Sequence, residues 1–208
     1  MYLKVIDYGM GEKVMEAKVD LRVIKTRANI KNTFIDLLFE KEFNEITIQN
    51  ILDKALINRS TFYKHYSDKY ELAEQLSAEA LKNAALFINE RFSDKKEKDV
   101  FPTIYKAYAY LYEQRKTILA LWKIRTKDIN LYEDIENLLK KNFLQYLILH
   151  NSCKDSSLLD YYSTMYSSLV LTTIKWLLTS GKESDIKKIL EQIQSSFDGR
   201  IFFGDRKL

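Results

Sequence analysis

The sequence predicts an all-α chain: a three-helix N-terminal unit, a long fourth helix, and a C-terminal helical region. Three observations carry that expectation. Glycine is absent between Gly11 and Gly181 and Pro102 is the only proline, so the residues that build tight hairpin turns are missing from most of the 208-residue chain. Apolar residues recur at i, i+3, i+4 and i+7 in one segment after another. Polar runs such as Ser93 to Asp99 separate these segments and serve as connectors.

Taken in order, residues 1–20 read as an N-terminal extension that is poorly ordered or loosely helical. Lys4, Asp7, Glu12 and Lys13 interrupt any apolar core that a signal peptide would need. A first helix starting near Thr26 would bury Ile30, Phe34, Leu37 and Leu38. Thr47 is a good N-cap for a second helix from Ile48 to about Lys54, with Ile48, Ile51, Leu52 and Ala55 on its inner face. Asn58 can cap a third by accepting from the backbone of Ser60 or Thr61. Ile57 and Phe62 have the spacing of a hydrophobic staple around that cap, and Phe62 and Tyr66 face inward.

Two short helices joined by a three-residue turn form a helix-turn-helix. The outward side of the second is Arg59, Ser60, Thr61, Tyr63, Lys64 and His65, groups suited to phosphate oxygens and base edges. No Asp or Glu occurs between Lys54 and Asp68, whereas an ordinary solvated face would mix both signs. The net charge of +4 is modest, and it is the local placement of Lys54, Arg59, Lys64 and Lys69 that points to nucleic acid.

The run ITIQNILDKALINRSTFYKHYSDKYEL resembles the DNA-binding domain of the TetR (tetracycline repressor) family, with its Thr-capped helix, short turn and TFYxHFxxK-type recognition helix. Together with IKTRANIKNTFIDLLFEKEF upstream, the resemblance covers roughly residues 24 to 76. It implies that Thr47, Arg59, Thr61, Tyr63, His65 and Lys69 meet DNA, and the outward polar side of the second helix adds Ser60 and Lys64 to the DNA-binding candidates. One departure stands out: the family often has Gly in the turn, and this chain has Leu56, which must adopt another turn geometry or carry strain. The implied organisation is a helix-turn-helix DNA-binding domain at 21–70, joined through the fourth helix to a C-terminal helical regulatory and dimerisation domain at 71–208. The fourth helix is expected to start at Ser67 or Asp68 and to run through Leu72, Leu76, Ala80, Ala84, Phe87 and Ile88.

Five further helices are expected at about 100–115, 117–125, 131–150, 157–179 and 183–197, with Pro102 in a first turn and Gly181 as a stop. The last two resemble the pair through which the family dimerises. The C-terminal part is rich in aromatics, and Tyr105, Tyr108, Trp122, Tyr146, Tyr162 and Tyr166 are candidates to line a small-molecule site, against the plainer alternative of helix packing. No catalytic constellation is found. His65 and His150 fall in different parts of the chain, and no phosphate loop, cofactor motif or metal-ligand spacing is present. The single Cys153 forms no internal disulfide and fits a reducing cytoplasm. The longest uncharged C-terminal stretch, 161–174, is too short and too hydroxyl-rich to span a membrane.

The expected function is therefore a ligand-responsive homodimeric repressor that binds a pseudo-palindromic operator in double-stranded DNA and answers an unknown small-molecule effector. The alternatives are an activator of the same type and a helical protein-interaction module whose helix-turn-helix does not bind DNA.

Overall fold

Capping fixes where each N-terminal helix begins. In the computed structural model, which describes residues 20–92, 101–150, 155–180 and the pair 188–189, Asp20 accepts from the Arg22 backbone N–H and starts α1 (Leu21–Glu40). That start lies five residues before the expected Thr26, because the Asp20 carboxylate caps the chain there even though Leu21, Val23 and Ile24 of the first turn stay exposed. The inner face is as expected and adds Thr33 and Ile35 to the buried set.

A 3₁₀ turn at Phe43–Glu45 leads into α2 (Ile48–Ala55). Thr47 and Asn50 form a reciprocal box there: Thr47 Oγ1 accepts from the Asn50 N–H, and Asn50 Oδ1 accepts from the Thr47 N–H, both at 3.1 Å. The third helix, α3, spans only Arg59–Tyr63. A helix this short does not persist in isolation, so it owes its existence to its cap and to the burial of Phe62 and, just beyond its end, Tyr66. Asp68 then accepts from the Tyr70 and Glu71 N–H groups and opens α4 (Lys69–Arg91).

The C-terminal region contributes α5 (Phe101–Glu113), α6 (Arg115–Leu121), α7 (Leu131–Leu149) and α8 (Ser156–Ser180). Pro102 sits in the first turn of α5, where its missing N–H is harmless. Helix α6 stops at Leu121 rather than near 125, and Asn130 caps α7. The expected helix at 183–197, the Gly181 stop, Cys153, the 93–99 connector and residues 1–19 lie outside the described residues. Of the expected last helix, Lys188 and Ile189 are helical.

No strand occurs among the described residues. A buried apolar cluster runs from Ile30 and Phe34 in α1 through Leu72 and Leu76 in α4 to Leu171 and Leu178 in α8. Helix α4 therefore packs its first turns against the helix-turn-helix and its last turns among the C-terminal helices. At 1.5 Å per residue that is a rod roughly 34 Å long. A second connection runs beside it: Lys123, just after α6, donates from Nζ to the Leu38 carbonyl near the end of α1, and Lys116 pairs with Asp36.

Candidate nucleic-acid interface and internal cavity

The turn between α2 and α3 is made by Leu56, which adopts a left-handed conformation (φ 54°, ψ 45°) and is 91% exposed. It is the only non-glycine residue with positive φ among the described residues. Of the two outcomes the sequence allowed, strain is the one realised, because a Cβ in this region crowds the following carbonyl. Neighbouring groups hold it there. The Leu56 and Ile57 N–H groups both donate to the Leu52 carbonyl, and Asn29 of α1 donates from Nδ2 to the Ala55 carbonyl at 2.8 Å.

Beyond the turn, Asn58 Oδ1 accepts three hydrogen bonds: from the Thr61 N–H at 2.8 Å, the Thr61 hydroxyl at 2.7 Å and the Ser60 hydroxyl at 2.8 Å. The backbone N–H identifies this amide atom as oxygen, so both hydroxyl protons are directed back to the cap. What Ser60 and Thr61 can offer a partner is lone pairs. Arg59, Tyr63 and Lys64 are exposed, with the Arg59 guanidinium 6.0 Å from the Tyr63 ring centre; His65 is half-buried beside Tyr66. Thr47 is exposed at the head of α2.

Lys69 is held differently from what the sequence suggests. Its ammonium donates to the carbonyls of Phe43 (2.8 Å), Asn44 (3.0 Å) and Ile46 (2.7 Å), which accounts for all three protons, and it lies 4.8 Å from the Phe43 ring centre. Burial lowers its pKa. It therefore fastens the segment before α2 to the head of α4 and leaves no proton for a phosphate. From sequence a lysine at a helix start looks like a surface cation; only the fold brings three carbonyls to it.

A cavity of about 190 Å³ opens between the far end of α4 and helices α5, α7 and α8, with Trp122 after α6 on its wall. Ala84, Phe87, Ile88, Arg91 and Phe92 supply the α4 side, and Ile104, Ala107 and Leu111 the α5 side. Of the six aromatic candidates, Tyr108, Trp122 and Tyr166 line it. Tyr105, Tyr146 and Tyr162 do not; they are half-buried packing residues, because helix rotation sends them to other faces. Tyr146, for example, stacks on Phe143 and His150.

Burial raises the pKa of Tyr166, whose ring stacks on Phe143 at 4.1 Å. Trp122 is 6% exposed, and its indole N–H has no hydrogen-bond partner among the described residues. An unsatisfied buried donor costs roughly 1–3 kcal/mol. The small residues Ala84 and Ala107, which leave the space, were not anticipated; their signal is weak, since alanine is common on any helix.

No family model matches the chain. It is similar to an uncharacterized HTH-type transcriptional regulator, YxbF, of Bacillus subtilis (strain 168), with 42% identity over 67 residues; that match takes in 32% of this chain and only 18% of the relative's length. Among solved structures it resembles a gamma-butyrolactone receptor (ArpA-like protein) with a TM-score of 0.56 and 14% identity, over 85% of this chain and 100% of that one. It also resembles the TetR family transcriptional regulator PfmR from Thermus thermophilus, with a TM-score of 0.56 and 17% identity over 88% and 98% of the two chains. The chain has the TetR fold. A transcriptional regulator (TerR/AcrR family) from Aquifex aeolicus VF5 shares it at a TM-score of 0.54 and 18% identity, over 81% of this chain and 99% of that one. On this TetR-type scaffold the polar face of α3 and the cavity belong to opposite ends of α4. No described helix is long and apolar enough to cross a membrane.

Proposed function

We propose that this protein is a sequence-specific DNA-binding regulator of transcription of TetR type, acting in the cytoplasm as a ligand-responsive homodimeric repressor. The observation that carries the reading is the exposed, carboxylate-free face of Arg59, Tyr63 and Lys64 on a capped helix projecting from the fold. A helix presented this way suits the major groove, with its N-terminal residues at base edges. The YxbF likeness and the fold shared with named transcriptional regulators support it. In this reading residues 21–70 bind DNA and 71–208 regulate and dimerise.

Arg59 is the leading candidate for base readout, with Thr47, Tyr63 and His65 positioned for phosphates and Lys64 for either. In-vitro selection from random duplexes should return a pseudo-palindrome. Arg59→Ala should relax one position in each half-site and cost about 1–3 kcal/mol. If selection yields no enriched sequence, the helix-turn-helix is an interaction module instead. If the Arg59 variant keeps the same site preference with uniformly weaker binding, Arg59 contacts phosphate only.

A further inference from the structure

We propose that Arg22 and Lys25, on the first two turns of α1, carry the DNA-binding surface beyond the helix-turn-helix and hold phosphates of the duplex backbone beside each half-site. The inference rests on the regulator reading and adds to it two cations that lie outside the recognition helix.

The charge pattern comes first. Between Asp20 and Asp36, α1 carries Arg22, Lys25, Arg27 and Lys31 and no carboxylate. Two of the four are engaged within the fold: Lys31 pairs with Glu79 of α4 at 2.8 Å, and Arg27 donates to Gln75 at 3.2 Å and lies 5.8 Å from the Tyr66 ring centre. Arg22 and Lys25 are exposed, and neither forms an ion pair among the described residues. Asp20, the nearest carboxylate along the chain, is turned to the Arg22 backbone as the cap of α1. A solvated helix face ordinarily sets acids three or four residues from its cations, and neither position has one.

Position comes next. The contacts from 27 to 75 and from 31 to 79 share one offset of 48 residues, so α1 and α4 run parallel in constant register. Carried back along α1, that register brings Arg22 level with Tyr70, at the corner where α3 gives way to α4. Arg22, Lys25 and Asn29 also form an i, i+3, i+7 stripe, and Asn29 donates to the Ala55 carbonyl at the turn leading into α3. Side chains lean toward the start of their helix, so the two cations reach away from α6, to which the far end of α1 is fastened. They stand at the end of the molecule that presents Arg59 and Lys64, where cations without acids suit phosphate oxygens. Leu21, Val23 and Ile24 are exposed on the same turns, which makes an anionic lipid surface the competing partner; continuity with the carboxylate-free recognition helix favours DNA.

Fluorescence anisotropy against salt, with a selected and a random duplex, tests this on the full chain. Arg22→Gln with Lys25→Gln should lower the salt slope by about two per bound protomer and weaken both duplexes alike, by about tenfold or more at about 0.1 M salt, leaving their affinity ratio unchanged. Lys31→Gln, at the paired position further along α1, should keep the wild-type slope. An unchanged slope in the double variant overturns the proposal, and so does an equal fall per charge in Lys31→Gln, which would make the effect one of net charge. A lost preference for the selected duplex would move the two residues from backbone to bases. Binding to phosphatidylglycerol vesicles that the double substitution abolishes, with the DNA slope intact, gives the stripe to a lipid surface. If the wild type binds neither duplex, the regulator reading falls and this inference with it.

Discussion

At the scale of single residues, Leu56 and the Asn58 cap are the most informative features. A left-handed leucine costs about 1–2 kcal/mol, and glycine avoids that at some entropic expense. Leu56→Gly should therefore stabilise the protein by about 1 kcal/mol in urea denaturation, since its 91%-exposed side chain gives up little packing. A loss of stability would show that the Leu56 side chain contributes more than its exposure indicates. The Asn58 cap makes a different kind of statement. With both hydroxyl protons turned to Asn58, Ser60 and Thr61 present lone pairs, which match the amino groups of adenine and cytosine and mismatch phosphate oxygens. Thr61→Val should lower discrimination at one base position by about 1 kcal/mol, roughly fivefold, and leave the salt dependence of binding unchanged. A shallower salt slope in that variant would assign Thr61 to the backbone.

Elements in the N-terminal part are held by ties between them more than by their own length. The eight-residue α2 and five-residue α3 are too short to be stable alone. Their ends are satisfied by Thr47, Asn50, Asn58 and the Asn29 amide, and Lys69 closes the unit against α4. Lys69→Ala removes three charge-assisted hydrogen bonds and takes the ammonium donor from the part-buried Ile46 carbonyl, while the Phe43 carbonyl keeps the Ile46 N–H, so it should destabilise by about 2–3 kcal/mol. Measured by anisotropy at temperatures where the variant is folded, its salt slope for DNA should match the wild type. A slope reduced by about one would return Lys69 to the phosphate contacts. Its lowered pKa has a stated sign: between the depressed folded value and the usual unfolded one the unfolded chain holds more protons, so this group makes stability rise with pH across that alkaline window.

For the whole molecule, the question is how two copies meet. Leu177, on the first of the two helices that resemble the family's dimerising pair, is buried and lines the cavity. A charge there would test folding, not association. Leu158, Tyr161 and Trp176 are the exposed large apolar residues of α8. Under the homodimer proposal, Tyr161→Glu should shift the protein toward monomer in sedimentation and weaken operator binding at least about tenfold, because two recognition helices must meet half-sites about one helical turn, ~34 to 36 Å, apart. A variant that stays dimeric would move the interface off this face of α8.

Periodicity and capping alone determined the all-α class, the cap residues Thr47 and Asn58, and the polar face beginning at Arg59, and narrowed the start of the fourth helix to Ser67 or Asp68. These are local matters: apolar spacing and side-chain-to-backbone bonds act within a few residues, so the chain displays them directly. Other features depended on segments far apart in sequence coming together. Lys69 meets carbonyls more than twenty residues away, Lys123 reaches the end of α1, and the rotation of each C-terminal helix decides that Tyr108, Trp122 and Tyr166 line a cavity while Tyr105, Tyr146 and Tyr162 pack elsewhere. An aromatic residue at helical spacing has the same sequence signature whether it faces a core or a cavity. The neighbouring helix decides which, through the size of the side chains it places opposite, as Ala84 and Ala107 do here.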